Sequence, residues 1–129
     1  MKKTFENILL KVEGKKATLT MNRPEELNTM NLHMVEEMIE ALFSLHKEDI
    51  NVLLLTGNGK KFCAGADIKE MRPRGPTEWG KIVERYLDLI NAIIDLPVPV
   101  VAAMNGDAVG GGLGLCTASD IRISVKSAR

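Results

Sequence analysis

Glycine and alanine crowd two short stretches of this 129-residue sequence. The first is Phe62-Cys63-Ala64-Gly65-Ala66-Asp67-Ile68-Lys69-Glu70. The second is Asn105-Gly106-Asp107-Ala108-Val109-Gly110-Gly111-Gly112-Leu113-Gly114-Leu115. Residues this small let a ligand come close to the backbone. A helix that opens on glycines also presents unpaired N–H groups at the positive end of its dipole. Fixed donors of that kind suit a phosphate or a developing oxyanion. The nucleotide forms of this chemistry fail on spacing. No glycine is followed, five residues on, by Gly-Lys-Ser or Gly-Lys-Thr. A dinucleotide fingerprint asks for Gly-x-Gly-x-x-Gly; counted from Gly110 its last position is Leu115, and counted from Gly112 it is Thr117.

Side chains that could move protons are sparse around these stretches. Asp67 and Asp107 read first as loop residues that bond nearby N–H groups. Asp120 opens the last strand and reads as structural. Glu84 and Asp88, with Arg85 between them, read as a solvated helix face. His33 and His46 lie away from both stretches. Lys60, Lys61 and Lys69, with Arg72 and Arg74, are the cations available to a phosphate, Lys69 foremost. Isolated lysines on loops are more often simply solvated. The two cysteines, Cys63 and Cys116, form no CxxC pair and have no histidine cluster, so no metal site is expected. Small and apolar neighbours make them buried, reduced thiols.

Together with Asn22-Arg23-Pro24-Glu25-Glu26-Leu27-Asn28 upstream, the two stretches resemble the crotonase or enoyl-CoA hydratase/isomerase superfamily. The resemblance holds in order and spacing over nearly the whole chain. It implies an α/β fold, a spiral of ββα units with mostly parallel strands. It implies an acyl-CoA thioester as substrate and an enolate whose oxygen sits between two backbone N–H groups. The matching donors are Ala66 and Gly111. The substrate-contacting backbone maps onto Glu25, Glu26 and Leu27, and onto Ala64, Gly65, Asp67 and Ile68, with Lys69, Gly110 and Gly114 beside them. No separate cofactor is implied, because coenzyme A enters as part of the substrate. The partners implied are that acyl-CoA and further copies of the chain, a trimer or dimer of trimers in the complete family domain. Enolising a thioester moves negative charge onto its carbonyl oxygen, and removing one fixed donor typically slows such chemistry by about 10²–10³-fold.

The resemblance has two gaps. Hydration in this family uses two glutamates, and the first should lie three residues after the middle glycine, where this sequence has Gly114. The second should lie just beyond Arg129. The expectation is therefore one crotonase-like core over residues 1–129, truncated after a strand near residues 121–125. Its C-terminal trimerisation region would be absent, and it would have little turnover alone. Gly114 favours a double-bond shift over hydration.

The elements that must position these groups follow from periodicity. Residues 8–12 and 17–21 predict a β-hairpin turning at Gly14. Asn31 caps a helix to about Lys47, with Leu32, Val35, Ile39 and Leu42 on one face. Asn51 to Thr56 and Val98 to Met104 are apolar runs suited to strands buried on both faces. Residues 72–76 form a breaker-rich loop. Thr77 caps a second helix to about Asp95. Its stripe of Trp79, Ile82, Val83, Tyr86, Leu89, Ile90 and Ile93 reads as core, with Trp79 or Met71 as minor candidates to border an acyl chain. A short helix over residues 109–118 and a strand over 121–125 complete an α/β order with a largely parallel sheet.

Composition agrees with this class. Hydrophobic residues make up 45% of the chain, too many for a disordered one. Seventeen basic and seventeen acidic residues cancel, which argues against a nucleic-acid or membrane surface. Charges at Glu6, Lys11 and Glu13 interrupt any apolar segment after Met1-Lys2-Lys3, so no secretory signal is expected and a cytoplasmic address is.

Overall fold

The computed structural model describes residues 4–129, so the reading of Met1 to Lys3 lies outside the described residues. Ile8–Glu13 (β1) and Lys16–Met21 (β2) form the expected hairpin, with Gly14 turning at φ 58°. After a 3-10 turn at Pro24–Glu26 the chain enters Leu32–Ser44 (α1), which tightens into a second 3-10 turn at Leu45–Lys47. The Asn31 side chain accepts the Met34 N–H at 2.8 Å, which is the expected cap. Val52–Gly57 (β3), Ile68–Met71 (α2), Pro76–Ile94 (α3), Val100–Met104 (β4), Gly111–Ala118 (α4) and Ile121–Ser124 (β5) follow.

The five strands form one sheet in sequence order. β1 and β2 are antiparallel, and every later pair is parallel. Period-two alternation puts Ala17, Leu19, Met21, Leu53, Leu55, Val100 and Ala102 on one buried face. Met34, Met38 and Leu42 of α1, Leu89 and Ile93 of α3, and Leu115 of α4 join them in the core. Each such side chain contributes roughly 1.5–3 kcal/mol by leaving water. Arg85 ties α3 to α1 through a forked pair to Glu36, both contacts 2.6 Å. Glu37, buried on α1, accepts the backbone N–H groups of Glu6 and Asn7 at 2.6 and 2.9 Å and so anchors the N-terminal segment.

Three expectations change. β3 and β4 are not buried on both faces: Leu54, Thr56, Val101 and Ala103 are only half-buried, and Ile121 and Ile123 of β5 are exposed. Helices cover one face of this sheet, and an apolar run cannot say how many faces are covered. α3 is capped at Gly75, not Thr77, because Pro76 takes the first helical turn, where its missing N–H is no loss. The first glycine-alanine stretch ends in α2, a single turn capped by Asp67 that periodicity did not predict. No helix among the described residues is long and apolar enough to cross a membrane.

Candidate active site

Two isolated parallel bridges carry the first stretch past the others. Cys63 pairs with Ala108, and Ala66 pairs with Met30. Around the first, the N–H groups of Phe62 and Cys63 donate to the Asp107 carbonyl (3.1 and 3.2 Å) and Val109 N–H donates to the Cys63 carbonyl (3.0 Å). Around the second, Met30 N–H donates to the Gly65 carbonyl (2.8 Å) and Asp67 N–H to the Met30 carbonyl (3.0 Å). Ala64 N–H reaches the Leu27 carbonyl at 3.1 Å, which joins the upstream segment. Asn28 locks that segment. It is fully buried at φ 56°, accepts Arg23 N–H (2.8 Å), and donates to the carbonyls of Asn58 and Lys61 (both 2.9 Å). Asparagine tolerates this left-handed backbone better than most residues.

The alternation of a strand explains what is left over. Gly65 and Asp67 spend their carbonyl and N–H on Met30, so the backbone groups of Ala66 between them face the other way. Gly111 is the first residue of α4, and its N–H has no partner one turn earlier. Among the described residues, the N–H groups of Ala66 and Gly111 donate no hydrogen bond. Both residues line one apolar cavity of about 200 Å³, with Met30, Val35, Met71, Ile82, Val83 and Tyr86. The two backbones are close: a Cβ on Gly65 would lie 3.7 Å from Gly111 N and 3.0 Å from the Val109 carbonyl oxygen.

The four glycines from Gly110 to Gly114 each have their own reason. Gly110 turns the chain at φ 55° and ψ −121°, where a side chain is strained. A Cβ on Gly111 would press on the Met30 methyl at 3.0 Å and on the Tyr86 ring at 3.3 Å. One on Gly112 would collide with the Cys63 carbonyl oxygen, and one on Gly114 with the Tyr86 hydroxyl. That hydroxyl donates to the Gly111 carbonyl at 2.7 Å.

The titratable groups divide clearly. Among the described residues, Tyr86 is the one ionisable residue lining the cavity, and burial pushes its pKa up to about 12, so it is a neutral phenol. Asp67 is occupied: its carboxylate accepts Lys69 and Glu70 N–H at 3.1 and 3.4 Å and pairs with Arg23 at 3.2 Å. Asp107 pairs with Lys61 at 2.6 Å, and that ammonium holds its carboxyl below the usual range. Asp120 accepts Val100 N–H at 2.8 Å and so fixes the start of β4. Asp88 is bound to Arg85, and His33 lies 3.6 Å from Glu6. Cys63 and Cys116 are both free and buried, and burial raises the Cys63 pKa to about 11. No group of three or more metal-ligating side chains occurs among the described residues.

Of the residues singled out from sequence, Ala66 and Gly111 meet at the cavity. Glu25 and Glu26 form the 3-10 turn, with Leu27 beside them at φ 56°. Lys69 is exposed and reaches Glu26 at 3.5 Å, and Ile68 is largely exposed. Gly110 and Gly114 do not line the cavity. Met71 does, whereas Trp79 donates to the Met71 carbonyl at 2.9 Å and is half-exposed. Sequence reasoning missed Met30 and Val35 as lining residues and reads Ile82, Val83 and Tyr86 as core. The α3 stripe runs from core to cavity, and Tyr86 touches both.

Known proteins place this architecture. The enoyl-CoA hydratase/isomerase family profile matches residues 13–129. The 1,2-epoxyphenylacetyl-CoA isomerase of Escherichia coli is 43% identical over 130 residues, covering 97% of this chain and 50% of that protein. The short-chain-enoyl-CoA hydratase of Clostridium acetobutylicum is 38% identical over 95% of this chain and 48% of its own length. The crystal structure of an enoyl-CoA hydratase from Bacillus anthracis superposes with a TM-score of 0.92 at 35% identity, covering 95% of this chain and 49% of that one. The chain thus spans about half the length of the curated relatives it matches. Its mostly parallel sheet has the crotonase fold, and the chain belongs to the enoyl-CoA hydratase/isomerase family.

Proposed function

We propose that this chain binds an acyl-CoA thioester with its carbonyl oxygen between the N–H groups of Ala66 and Gly111. The observation that carries this reading is the pair of unpaired donors opening on one apolar cavity. An acyl chain fills the cavity. Glu25, Glu26, Leu27 and the backbone from Ala64 to Ile68 receive the coenzyme A portion, with Lys69 nearest to serve its phosphates. The names of the relatives, an acyl-CoA isomerase and an enoyl-CoA hydratase, support this substrate class.

The donors stabilise negative charge on the carbonyl oxygen as an enolate forms, and being part of the backbone they need not reorganise. They do not move the α-proton. No carboxylate lines the cavity among the described residues, and position 114 is glycine. Polarisation of the thioester is therefore the role of these residues, and Gly114 favours a double-bond shift over hydration. A second reading, a binding or assembly role without turnover, is favoured by the exposed Ile121 and Ile123 of β5.

Calorimetry with acetoacetyl-CoA tests the proposal. Binding is expected in the wild type and is expected to vanish in Ala66→Pro, which removes one donor. Equal binding by both proteins refutes the oxyanion site. Hydration of crotonyl-CoA and isomerisation of a 3-enoyl-CoA are expected to be negligible for the chain alone, and robust turnover of either overturns the binding-only form.

A further inference from the structure

Tyr86 stands where two backbone features of α4 meet. Its hydroxyl donates to the Gly111 carbonyl at 2.7 Å and fills the room that a Cβ on Gly114 would take. Its ring flanks Gly111 from the cavity side, with the Met30 methyl as a second neighbour. A carbonyl oxygen has two lone pairs, so accepting from Tyr86 does not cost Gly111 its place in the helix ladder. The bond fixes the peptide plane between Gly111 and Gly112. That plane follows the one whose N–H points at the cavity, and Gly112 N–H in turn holds the Val109 carbonyl at 2.9 Å.

We propose that Tyr86 is a positioning residue for the Gly111 N–H, and that position 114 is glycine because the Tyr86 hydroxyl occupies the space of a side chain there. This rests on the thioester reading of the same cavity and deepens it. A glycine turn has wide conformational freedom, and an oxyanion donor must be held still to act. A half-buried phenol seeks a hydrogen-bond partner, and the Gly111 carbonyl is that partner. The collision at 114 involves the far end of a side chain, so a residue larger than glycine is accommodated only by driving the hydroxyl off Gly111. The missing family acid and the tyrosine are then one coupled choice.

The test uses the full chain as wild type, Tyr86→Phe, Gly114→Ala and the double variant, with butyryl-CoA carrying carbon-13 at its thioester carbonyl. Infrared spectra read how strongly the bound carbonyl is polarised, and titration reads affinity. Tyr86→Phe keeps the ring and the cavity. It is expected to weaken binding by roughly three- to tenfold, the loss of one neutral hydrogen bond. The bound carbonyl stretch should move back toward its position in free thioester. Gly114→Ala should do the same, and the double variant should be no worse than Tyr86→Phe. An unmoved carbonyl stretch in Tyr86→Phe overturns the positioning role, even if affinity falls. Additive losses in the double variant overturn the coupling. If the wild type binds no better than Ala66→Pro, the thioester reading itself fails. Exchange of the Gly112 amide proton then decides the hold on the turn: faster exchange in Tyr86→Phe supports it, and an unchanged rate overturns it.

Discussion

Gly65→Ala links local backbone strain to the spacing of the two donors. Gly65 sits at φ +100°, a conformation that costs a residue with a side chain about 1–3 kcal/mol. The new methyl would also lie 3.0 Å from the Val109 carbonyl oxygen, so one side must yield by a few tenths of an ångström. Neither side is free. Val109 accepts the Gly112 N–H at 2.9 Å at the start of α4, and the Gly65 carbonyl accepts the Met30 N–H at 2.8 Å. Relief by either route loosens one hydrogen bond, worth about 0.5–1.5 kcal/mol, and shifts Ala66 relative to Gly111. The expected total is a loss of roughly 2–4 kcal/mol in stability. Misplacing one donor should also lower acetoacetyl-CoA affinity about tenfold or more, since a full donor is worth about 10²–10³-fold in rate. Urea unfolding at unchanged slope and calorimetric titration measure the two effects. Gly75→Ala is the unstrained control, because nothing among the described residues lies within 4 Å of its Cβ and φ is −82°; alanine caps α3 less well than glycine, so a loss of up to about 1 kcal/mol with unchanged affinity is expected. Gly80→Ala, equally open and inside α3, should stabilise by about 0.5–1 kcal/mol. A Gly65→Ala chain as stable and as tightly binding as the wild type would refute the strained contact between the two loops.

Other consequences follow from the same contacts. Glu37→Ala leaves the N–H groups of Glu6 and Asn7 without their buried acceptor and should cost about 2–4 kcal/mol in urea unfolding, with Glu37→Gln milder; a loss within error would show that the N-terminal segment is not anchored there. The Arg85 guanidinium holds the Glu36 carboxyl below its ordinary value of 4.5. That stability is present above pH 4.5 and is lost as pH falls through the lowered folded value, so the gap between wild type and Glu36→Gln should close in acid. At neutral pH the gap should stay under about 1 kcal/mol, since the pair is partly exposed. In alkali the signs reverse. Cys63 is pushed from 9.0 to about 11 and Tyr86 from 10.0 to about 12, so the fold favours their neutral forms and loses that advantage as pH rises through this range. Iodoacetamide should accordingly leave Cys63 unmodified in the folded chain near neutrality and alkylate it readily in urea; rapid labelling without denaturant would contradict its burial.

What the sequence discloses here is set by the range of the interaction involved. The hairpin, α1 with its Asn31 cap and the two glycine-bearing turns were legible because periodicity, capping and turn chemistry act within a few residues. That Ala66 and Gly111 come to one place was legible as well, through a pattern of small residues whose order and spacing resemble a family. The faces of β3 and β4 were not, because Leu53 and Leu54 are equally apolar and only the sheet's neighbours decide which is buried. Tyr86 was hidden for the same reason. On α3 it shares a stripe with Leu89 and Ile93, which meet the core, and with Ile82 and Val83, which meet the cavity. Its role depends on a residue far along the chain that has no side chain at all. Read alone, Gly114 is an acid that is missing. Beside Tyr86 it is the space that admits a phenol bonded to the carbonyl of Gly111, and under the positioning proposal the glycine at 114 and the hold on the Gly111 N–H have a common cause.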